Sequence, residues 1–194
     1  MTRIVIGSTN PGKLREITGI LNGLPLELLT LAQFSPITEP EETGDSFAAN
    51  ARHKALYYAA ATGLPVVADD SGLEIAALGN APGVHSARWQ GTDYAHKFQK
   101  IRELLRERGV NGSAARFVCS VALAERDRIL FETQATVEGE LAPEPRGTNG
   151  FGYDPIFFYP PLGRTLAELT PDEKASVSHR GKAFRRLREF LQRP

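Results

Sequence analysis

Two adjacent aspartates, Asp69 and Asp70, follow the β-branched pair Val66–Val67 and precede Ser71–Gly72. The valines predict the end of a buried strand, with the aspartates arriving where it stops. Buried carboxylates are costly unless they are paired or bind a cation, so this pattern is typical of a metal or phosphate site. The same residue types also favour an ordinary turn, and this stretch alone leaves both interpretations open.

A second candidate site lies near the start of the chain. Arg3–Gly7 predicts a buried strand, and Asn10 and Pro11 are a suitable N-cap and first residue for the helix that follows. A small-residue loop that enters a helix can bind an anion through backbone N–H groups and the helix dipole. Lys13 is unfavourable beside the positive end of a helix, so its position favours an anionic partner over a plain capped turn.

Acidic residues cluster ahead of the second predicted helix. Glu42 belongs to this run, which by itself is typical of solvated surface. Asp45 or Ser46 can cap the helix, which the sequence predicts to end at Gly63. Asn50 and Lys54 are one turn apart and are expected to share a helix face.

A glycine-rich segment, Arg146–Pro155, carries an aromatic ring at Phe151 and a carboxylate at Asp154. Its glycines permit the backbone to approach a ligand, and Phe151 offers a stacking surface. The alternative is a tight connection into the strand Ile156–Phe158. Thr170 and Pro171 then cap a short helix that holds Lys174.

Composition excludes several classes of protein. The chain has 194 residues, no net charge at pH 7 and one cysteine, so we expect neither nucleic-acid nor membrane binding. No segment reaches the roughly 20 apolar residues of a membrane span, no signal peptide is predicted, and a cytoplasmic location is expected. Cys119 lies in an apolar run that favours a core thiol over a nucleophile. Zinc and serine-hydrolase motifs are absent from the sequence.

The elements that must position these residues predict an α/β fold. Parallel strand–helix–strand units come first, and two long apolar runs around Glu125–Asp127 predict an antiparallel hairpin. The sheet should therefore be mixed. Leu73–Leu78 is compatible with a strand or a short helix, and Gly79–Gly91 predicts a long loop of the kind that is often functional.

Six motifs in sequence order closely resemble the inosine triphosphate pyrophosphatase family. They are Ser8–Lys13, Glu41–Gly44 with Phe47 and Asn50, Ala68–Leu73, Ala81–Gly83 with Ser86–Arg88, Gly150–Pro155 and Ser178–Gly181. Each motif alone is weak evidence, whereas the ordered set is specific and spans nearly the whole chain. Two departures are Ala49, where the family often has Glu, and Ser8–Thr9, where Thr-Gly is common.

The resemblance implies a single nucleoside-triphosphate pyrophosphatase domain over residues 1–194. It implies two lobes, a long mixed sheet flanked by helices, a substrate cleft between the lobes, and a homodimer. It also implies Mg²⁺-dependent hydrolysis of non-standard purine nucleoside triphosphates such as ITP, dITP and XTP. Water would attack the α-phosphate, giving a nucleoside monophosphate and pyrophosphate and clearing such nucleotides from the pool.

The family's functional positions fall on identifiable residues of this chain. Glu42 and Asp70 match its metal-binding carboxylates, and Asp70 also matches its proposed proton acceptor. The matched substrate-binding positions are Ser8, Thr9, Asn10, Pro11, Gly12, Lys13, Lys54, Ser71, Phe151, Gly152, Tyr153, Asp154, Lys174, His179 and Arg180.

The same residues predict why ATP is a poor substrate. Hypoxanthine and xanthine have a C6 carbonyl and an N1–H donor, and adenine reverses both groups. We expect Arg180 to donate to the C6 oxygen, Asp154 to accept from a ring N–H, and Phe151 to stack. Each buried mismatch with adenine would cost about 1–3 kcal/mol.

Three alternative functions make different demands on the sequence. A pyrophosphatase for modified pyrimidines or methylated nucleotides would share these parts. A nucleotide sensor would not need the carboxylates at Glu42 and Asp70. An RNA-binding module would be basic overall with interleaved exposed aromatics, which this chain is not.

Overall fold

The computed structural model describes residues 2–193 as an α/β fold with seven strands and five α-helices. The strands are Thr2–Ile6 (β1), Leu26–Thr30 (β2), Val66–Ile75 (β3), Ala114–Glu125 (β4), Arg128–Leu141 (β5), Phe157–Tyr159 (β6) and Arg164–Thr165 (β7). The helices are Pro11–Leu21 (α1), Phe47–Thr62 (α2), Tyr94–Glu107 (α3), Pro171–Val177 (α4) and His179–Leu191 (α5).

The strands form one sheet in the order β2-β1-β3-β4-β5-β6-β7. β1 pairs in parallel with β2 and β3, whereas β5–β6 and β6–β7 are antiparallel. β4 and β5 are neighbours joined only by Arg126 and Asp127, and Arg126 has a φ of +56° at this turn. The predicted α/β class with a mixed sheet is confirmed.

The chain divides into two compact units. Unit 1 contains the residues up to Asp70, Cys119–Ala135, and Arg180 onward. Its strands have apolar residues on both faces: Ile6 and Val67 pack with α1 and α5, and Val66 packs with α2. Side chains alternate between the faces of a strand, so β3 contributes to both cores of this unit.

Unit 2 contains Ser71–Val118 and Thr136–His179. Its core is one cluster built on the second half of β3, the inner face of α3 and the residues around β6. The main members are Leu73, Ile75, Ile101, Leu105, Phe117, Val137, Phe157 and Leu166.

Helix ends follow the predicted capping residues. Asn10 caps α1 and accepts hydrogen bonds from two backbone N–H groups, and Ser46 caps α2. Gly63 ends α2 in the left-handed region at φ +68°, which glycine adopts without strain. Thr170 caps α4 in a reciprocal capping box with Glu173.

The expectation that a strand ends at the aspartate pair is wrong. β3 continues through Asp69 and Asp70 to Ile75, and Ala76–Leu78 form a 3-10 turn. The strand continues because both carboxylates are compensated by cations from the helices beside it. No helix within residues 2–193 is long and apolar enough to cross a membrane.

The cap of α2 gives a stability test. The Ala49 N–H donates to Ser46 Oγ over 3.2 Å, so Ser46→Ala should lower the free energy of unfolding by about 1 kcal/mol. Ser46→Asp keeps an acceptor and should stay within about 0.5 kcal/mol of wild type. Urea unfolding followed by circular dichroism measures both, and equal stability of the two variants would contradict this role.

Candidate active site

Strand β3 places Asp69 and Asp70 on opposite faces of the sheet in unit 1. Asp69 follows the alternation of Val67, which packs with α1 and α5, and Asp70 follows that of Ala68, which packs with α2. Both aspartates are buried. Each face therefore supplies the closest cations for one buried negative charge.

Asp69 is held by two cations. Its Oδ2 lies 3.2 Å from Lys13 Nζ and 3.1 Å from the nearer terminal nitrogen of Arg180, and its side chain has no solvent exposure. Burial opposes its ionisation, but the charges of Lys13, Arg180 and Lys54 together hold the pKa of Asp69 well below its usual range. Asp69 is therefore a fixed anion that orients Lys13.

Arg180 is the second residue of α5 and joins two carboxylates of unit 1. One terminal nitrogen donates to Glu16 over 2.7 Å, and the other donates to Asp69. Burial opposes charge on Arg180, yet these two carboxylates raise its pKa further above its ordinary value. The structure thus places Arg180 in an ion-pair network, and its contact with a substrate base remains a prediction.

Asp70 has a different environment. Its Oδ1 lies 3.3 Å from Lys54 Nζ, and its Oδ2 accepts from the Asn50 side-chain amide over 3.0 Å. Burial raises the pKa of Asp70, and the nearby charges of Lys54 and Lys13 only partly oppose that rise. Asp70, whose pKa is raised, is therefore a better proton acceptor than Asp69, whose pKa is lowered.

Asn50 and Lys54 lie on one face of α2, as their one-turn spacing predicted, and both contact Asp70. Lys54 Nζ also contacts the Glu42 carboxylate, which brings Glu42 into the same cluster. Burial opposes charge on Lys54, but Asp70, Glu42 and Asp69 together raise its pKa. Asn50 additionally accepts from the Gly44 N–H over 2.8 Å, and this bond fixes the segment that carries Glu42.

A Cβ atom at position 44 would lie 2.5 Å from Asn50 Oδ1. Gly44 is therefore required for the close approach of the acidic segment to α2.

The donor set of this cluster fits a hard divalent cation. Glu42 and Asp70 are carboxylates that already share one cation, the ammonium of Lys54. Within residues 2–193 no group of three His, Cys, Asp or Glu side chains forms a metal site. Mg²⁺ usually binds one or two carboxylates together with substrate phosphates, and Glu42 and Asp70 are two such carboxylates in one cluster.

The predicted phosphate loop connects β1 to the first turn of α1. Its members are Ser8, Thr9, Asn10, Pro11, Gly12 and Lys13. The Gly12 and Lys13 N–H groups donate to Asn10 Oδ1 over 2.9 and 3.1 Å. The anion that Lys13 contacts in this structure is Asp69, and a phosphate contact remains a prediction.

Unit 2 contains Phe151, Asp154 and Lys174 of the predicted base-recognition residues, whereas Arg180, the predicted donor to the C6 oxygen, lies in unit 1. Asp154 Oδ2 accepts from the Phe151 N–H over 2.8 Å and pairs with Lys174, and both ions are buried. Lys174 Nζ also lies 4.9 Å from the centre of the Phe151 ring. Gly150 has a φ of +73° and a Cβ there would collide with the Asp154 carboxylate.

Three further predicted residues have defined places in unit 2. Ser71 lies partly buried in β3. Tyr153 donates its hydroxyl to the Ser86 carbonyl over 2.9 Å. His179 stacks on Phe117 with ring centres 4.6 Å apart, an environment that the sequence did not predict.

The single cysteine is a core thiol, as predicted. Cys119 is fully buried in unit 1. Burial and the nearby Asp69 charge raise the pKa of Cys119 far above its ordinary value, so it cannot supply a thiolate nucleophile.

Comparison with known proteins identifies the family of this chain. The sequence profile of the Ham1 family matches residues 4–190. The chain belongs to the Ham1 family. It is 49% identical over 190 residues to a dITP/XTP pyrophosphatase of Syntrophobacter fumaroxidans, which covers 97% of this chain and 82% of that relative.

A second relative, a dITP/XTP pyrophosphatase of Coxiella burnetii, is 46% identical over 98% of this chain and 97% of its own length. The solved structure of a HAM1 protein from Coxiella burnetii superposes with a TM-score of 0.90 at 44% identity, covering 98% of both chains. These matches confirm the family resemblance inferred from the six motifs.

Two residues of this Ham1 chain were missed from sequence. Glu16 is one turn from Lys13 on α1, a spacing that signals a shared face, and it reaches Arg180. Lys97 is fully buried on α3. It falls on the stripe that continues to Ile101 and Leu105, so its spacing could have identified it as an inward-facing lysine.

The Asp69 ion pairs generate a pH-dependent prediction. Asp69→Asn removes the negative charge that pairs with the cations of Lys13 and Arg180. We therefore expect the free energy of unfolding at pH 7 to fall by about 3 kcal/mol. The folded-state pKa of Asp69 lies below its unfolded value of about 3.9. Its stabilisation is therefore complete above that value and is lost as the pH falls toward the folded-state pKa.

Urea unfolding at several pH values measures this effect. The difference between wild type and Asp69→Asn should shrink progressively below about pH 4. Asp127→Asn, in the exposed hairpin turn, is the matched control and should show no such trend. A difference that stays constant down to pH 2 would argue against the assignment.

Proposed function

We propose that this Ham1 protein hydrolyses dITP, ITP and XTP to nucleoside monophosphates and pyrophosphate. The observation that carries the proposal is the cluster in which Lys54 is shared by Glu42 and Asp70. Such a cluster offers a proton acceptor, a cation and hard metal ligands. The activity for which the relatives are named, dITP/XTP pyrophosphatase, supports the same reaction.

Asp70 is the proposed proton acceptor. A water molecule attacks the α-phosphorus, its proton passes to Asp70, and the bond from phosphorus to the bridging oxygen breaks. The β- and γ-phosphates leave together as pyrophosphate. The contacts of Asp70 with Asn50 and Lys54 support this role, because a general base must be held in position to accept the proton.

We infer that the cations of unit 1 bind the negatively charged triphosphate. Lys13, oriented by Asp69, and the loop Ser8–Gly12 would contact its phosphates, and Lys54 would stabilise charge near the reacting phosphorus. Glu42 and Asp70 would hold Mg²⁺. The ion, when bound, supplies Lewis-acid stabilisation of the phosphate oxygens.

Base recognition is assigned to Gly150–Asp154, called the base loop below, together with Lys174. Phe151 would stack on the purine. Asp154 would accept the ring N–H, and Lys174, a cation already held beside it, would donate to the C6 oxygen. Arg180 stays a proposed base contact that must be released from Asp69 or Glu16, and His179 and Ser71 stay proposed substrate contacts.

Several finer features complete the proposal. We infer a single two-lobed pyrophosphatase domain that acts as a homodimer, as the family resemblance implies. The zero net charge of the chain supports action without nucleic acid or membrane. A cytoplasmic location is supported by the single buried cysteine, since no disulfide can form within the chain.

A substrate panel tests the function. We expect kcat/KM for dITP, ITP and XTP to exceed that for ATP by about 10²-fold or more, because adenine leaves buried polar groups unpaired. Product analysis should give monophosphate and pyrophosphate in equal amounts with added Mg²⁺. Diphosphate and orthophosphate as primary products, or equal hydrolysis of ATP, would contradict the proposal.

Asp70→Asn tests the proton acceptor. The amide keeps the size of the side chain but cannot take a proton, so kcat should fall by at least about 10²-fold. Glu74→Gln is the matched control, because Glu74 lies on the same strand and pairs with Arg116. Its kcat should equal that of wild type.

Asp69→Asn, measured in parallel, should reduce kcat less than Asp70→Asn does. Near-wild-type turnover of Asp70→Asn would transfer the role of base to Asp69 or Glu42.

A further inference from the structure

Lys97 is an unusual buried cation in unit 2. Its exposure is 0%, and within residues 2–193 it has no carboxylate in ion-pair distance. Burial lowers the pKa of Lys97, as expected for an ammonium without a counter-ion. A lysine in this position is costly, and nothing in the reaction proposed above uses it.

The ammonium of Lys97 is compensated by backbone carbonyls. It donates to the Ser86 carbonyl over 3.1 Å and to the Ala87 carbonyl over 2.8 Å. Both acceptors belong to Gly79–Gly91, the long connection that the sequence marked as functional. Lys97 therefore fixes the backbone of this connection from the side of α3.

The Ser86 carbonyl leads directly to the base loop. It accepts a second hydrogen bond from the Tyr153 hydroxyl over 2.9 Å, so Lys97 and Tyr153 share one acceptor. Ser86 is itself fixed, because its Oγ accepts from the Leu73 N–H over 2.9 Å and donates to the Gly83 carbonyl over 2.6 Å. A rigid carbonyl thus links the ammonium to a residue of the base loop.

Aromatic contacts provide a second link. Lys97 Nζ lies 4.4 Å from the centre of the Tyr94 ring and 5.6 Å from that of Tyr153. The two rings meet edge to face at 5.2 Å. A Cβ atom at Gly152 would lie 3.5 Å from the Tyr94 hydroxyl, so Tyr94 packs directly against the base loop.

The charge of Asp154 also reaches Tyr94. Burial and this charge together raise the pKa of Tyr94. The surroundings of Lys97 therefore extend from the carbonyls of Ser86 and Ala87 to the carboxylate that is assigned to base recognition.

We propose that Lys97 is a positioning residue that holds the base loop in its base-binding conformation through Ser86, Tyr153 and Tyr94. This inference rests on the proposed function. Lys97 acts through these neighbours and does not touch the substrate. Methionine has a similar length and no charge. Replacing Lys97 by methionine therefore removes the hydrogen bonds to the Ser86 and Ala87 carbonyls while filling the same space.

The experiment compares Lys97→Met with Lys100→Met. Lys100 lies one turn later on α3, where it pairs with Glu103 and is half-exposed. We expect Lys97→Met to raise KM for dITP by about 10-fold or more, because small displacements of a binding group have large effects. We expect kcat to change less than KM, and Lys100→Met to match wild type.

Inhibition by inorganic tripolyphosphate separates positioning from general damage. This probe has no base, so its inhibition constant should be the same in wild type and Lys97→Met. Trp89, the only tryptophan of the chain, follows Ala87 closely and should report the released connection as a changed fluorescence emission. Far-UV circular dichroism should remain that of wild type.

Lys97→Gln, which keeps a neutral donor on a shorter side chain, is the second variant and should have an intermediate KM. An unchanged KM for dITP in folded Lys97→Met would overturn the proposal, as would equal weakening of dITP and tripolyphosphate binding. Failure of both variants to fold would also overturn it, since Lys97 would then serve stability alone. Absence of dITP hydrolysis by wild type would instead refute the proposed function.

Discussion

The structure of unit 1 depends on one constraint: two adjacent aspartates are buried in the same strand. Neighbouring residues of a strand point to opposite faces, so each aspartate has its nearest cations on its own face. Lys13 and Arg180 compensate Asp69 on one face, and Lys54 with Asn50 compensates Asp70 on the other. The helices on both sides of β3 are therefore needed for charge compensation as well as for packing.

This arrangement separates the two aspartates chemically. Asp69 faces two cations at close range, and its pKa is depressed. Asp70 faces Lys54, which is shared with Glu42, and its pKa is raised by burial. Carboxylates whose pKa values move apart commonly take different roles in catalysis. One strand thus provides a permanent anion that orients Lys13 and a neighbour that is suited to accept a proton.

Local signals in the sequence predicted much of the fold. Asn10 and Gly63 marked helix ends, and the runs around Arg126–Asp127 marked the hairpin. The continuation of β3 through Asp69 could not be predicted, because its partners Lys13 and Arg180 are 56 and 111 residues away in the chain. The family resemblance predicted that Arg180 contacts the substrate, but no local signal indicated that Glu16 and Asp69 hold it.

The division of unit 1 into three separate segments has a consequence for biosynthesis. Strand β3 is made early, whereas Arg180 lies in the last of the three segments. Domains tend to fold as units while the chain grows from its N-terminus. Until α5 leaves the ribosome, Asp69 has only Lys13 as a close cation, so the nascent chain must hold this carboxylate hydrated. A premature stop codon just before α5 would thus give a product whose N-terminal strands lack the apolar cover of α5 and the second counter-charge of Asp69, which favours its degradation by cellular proteases.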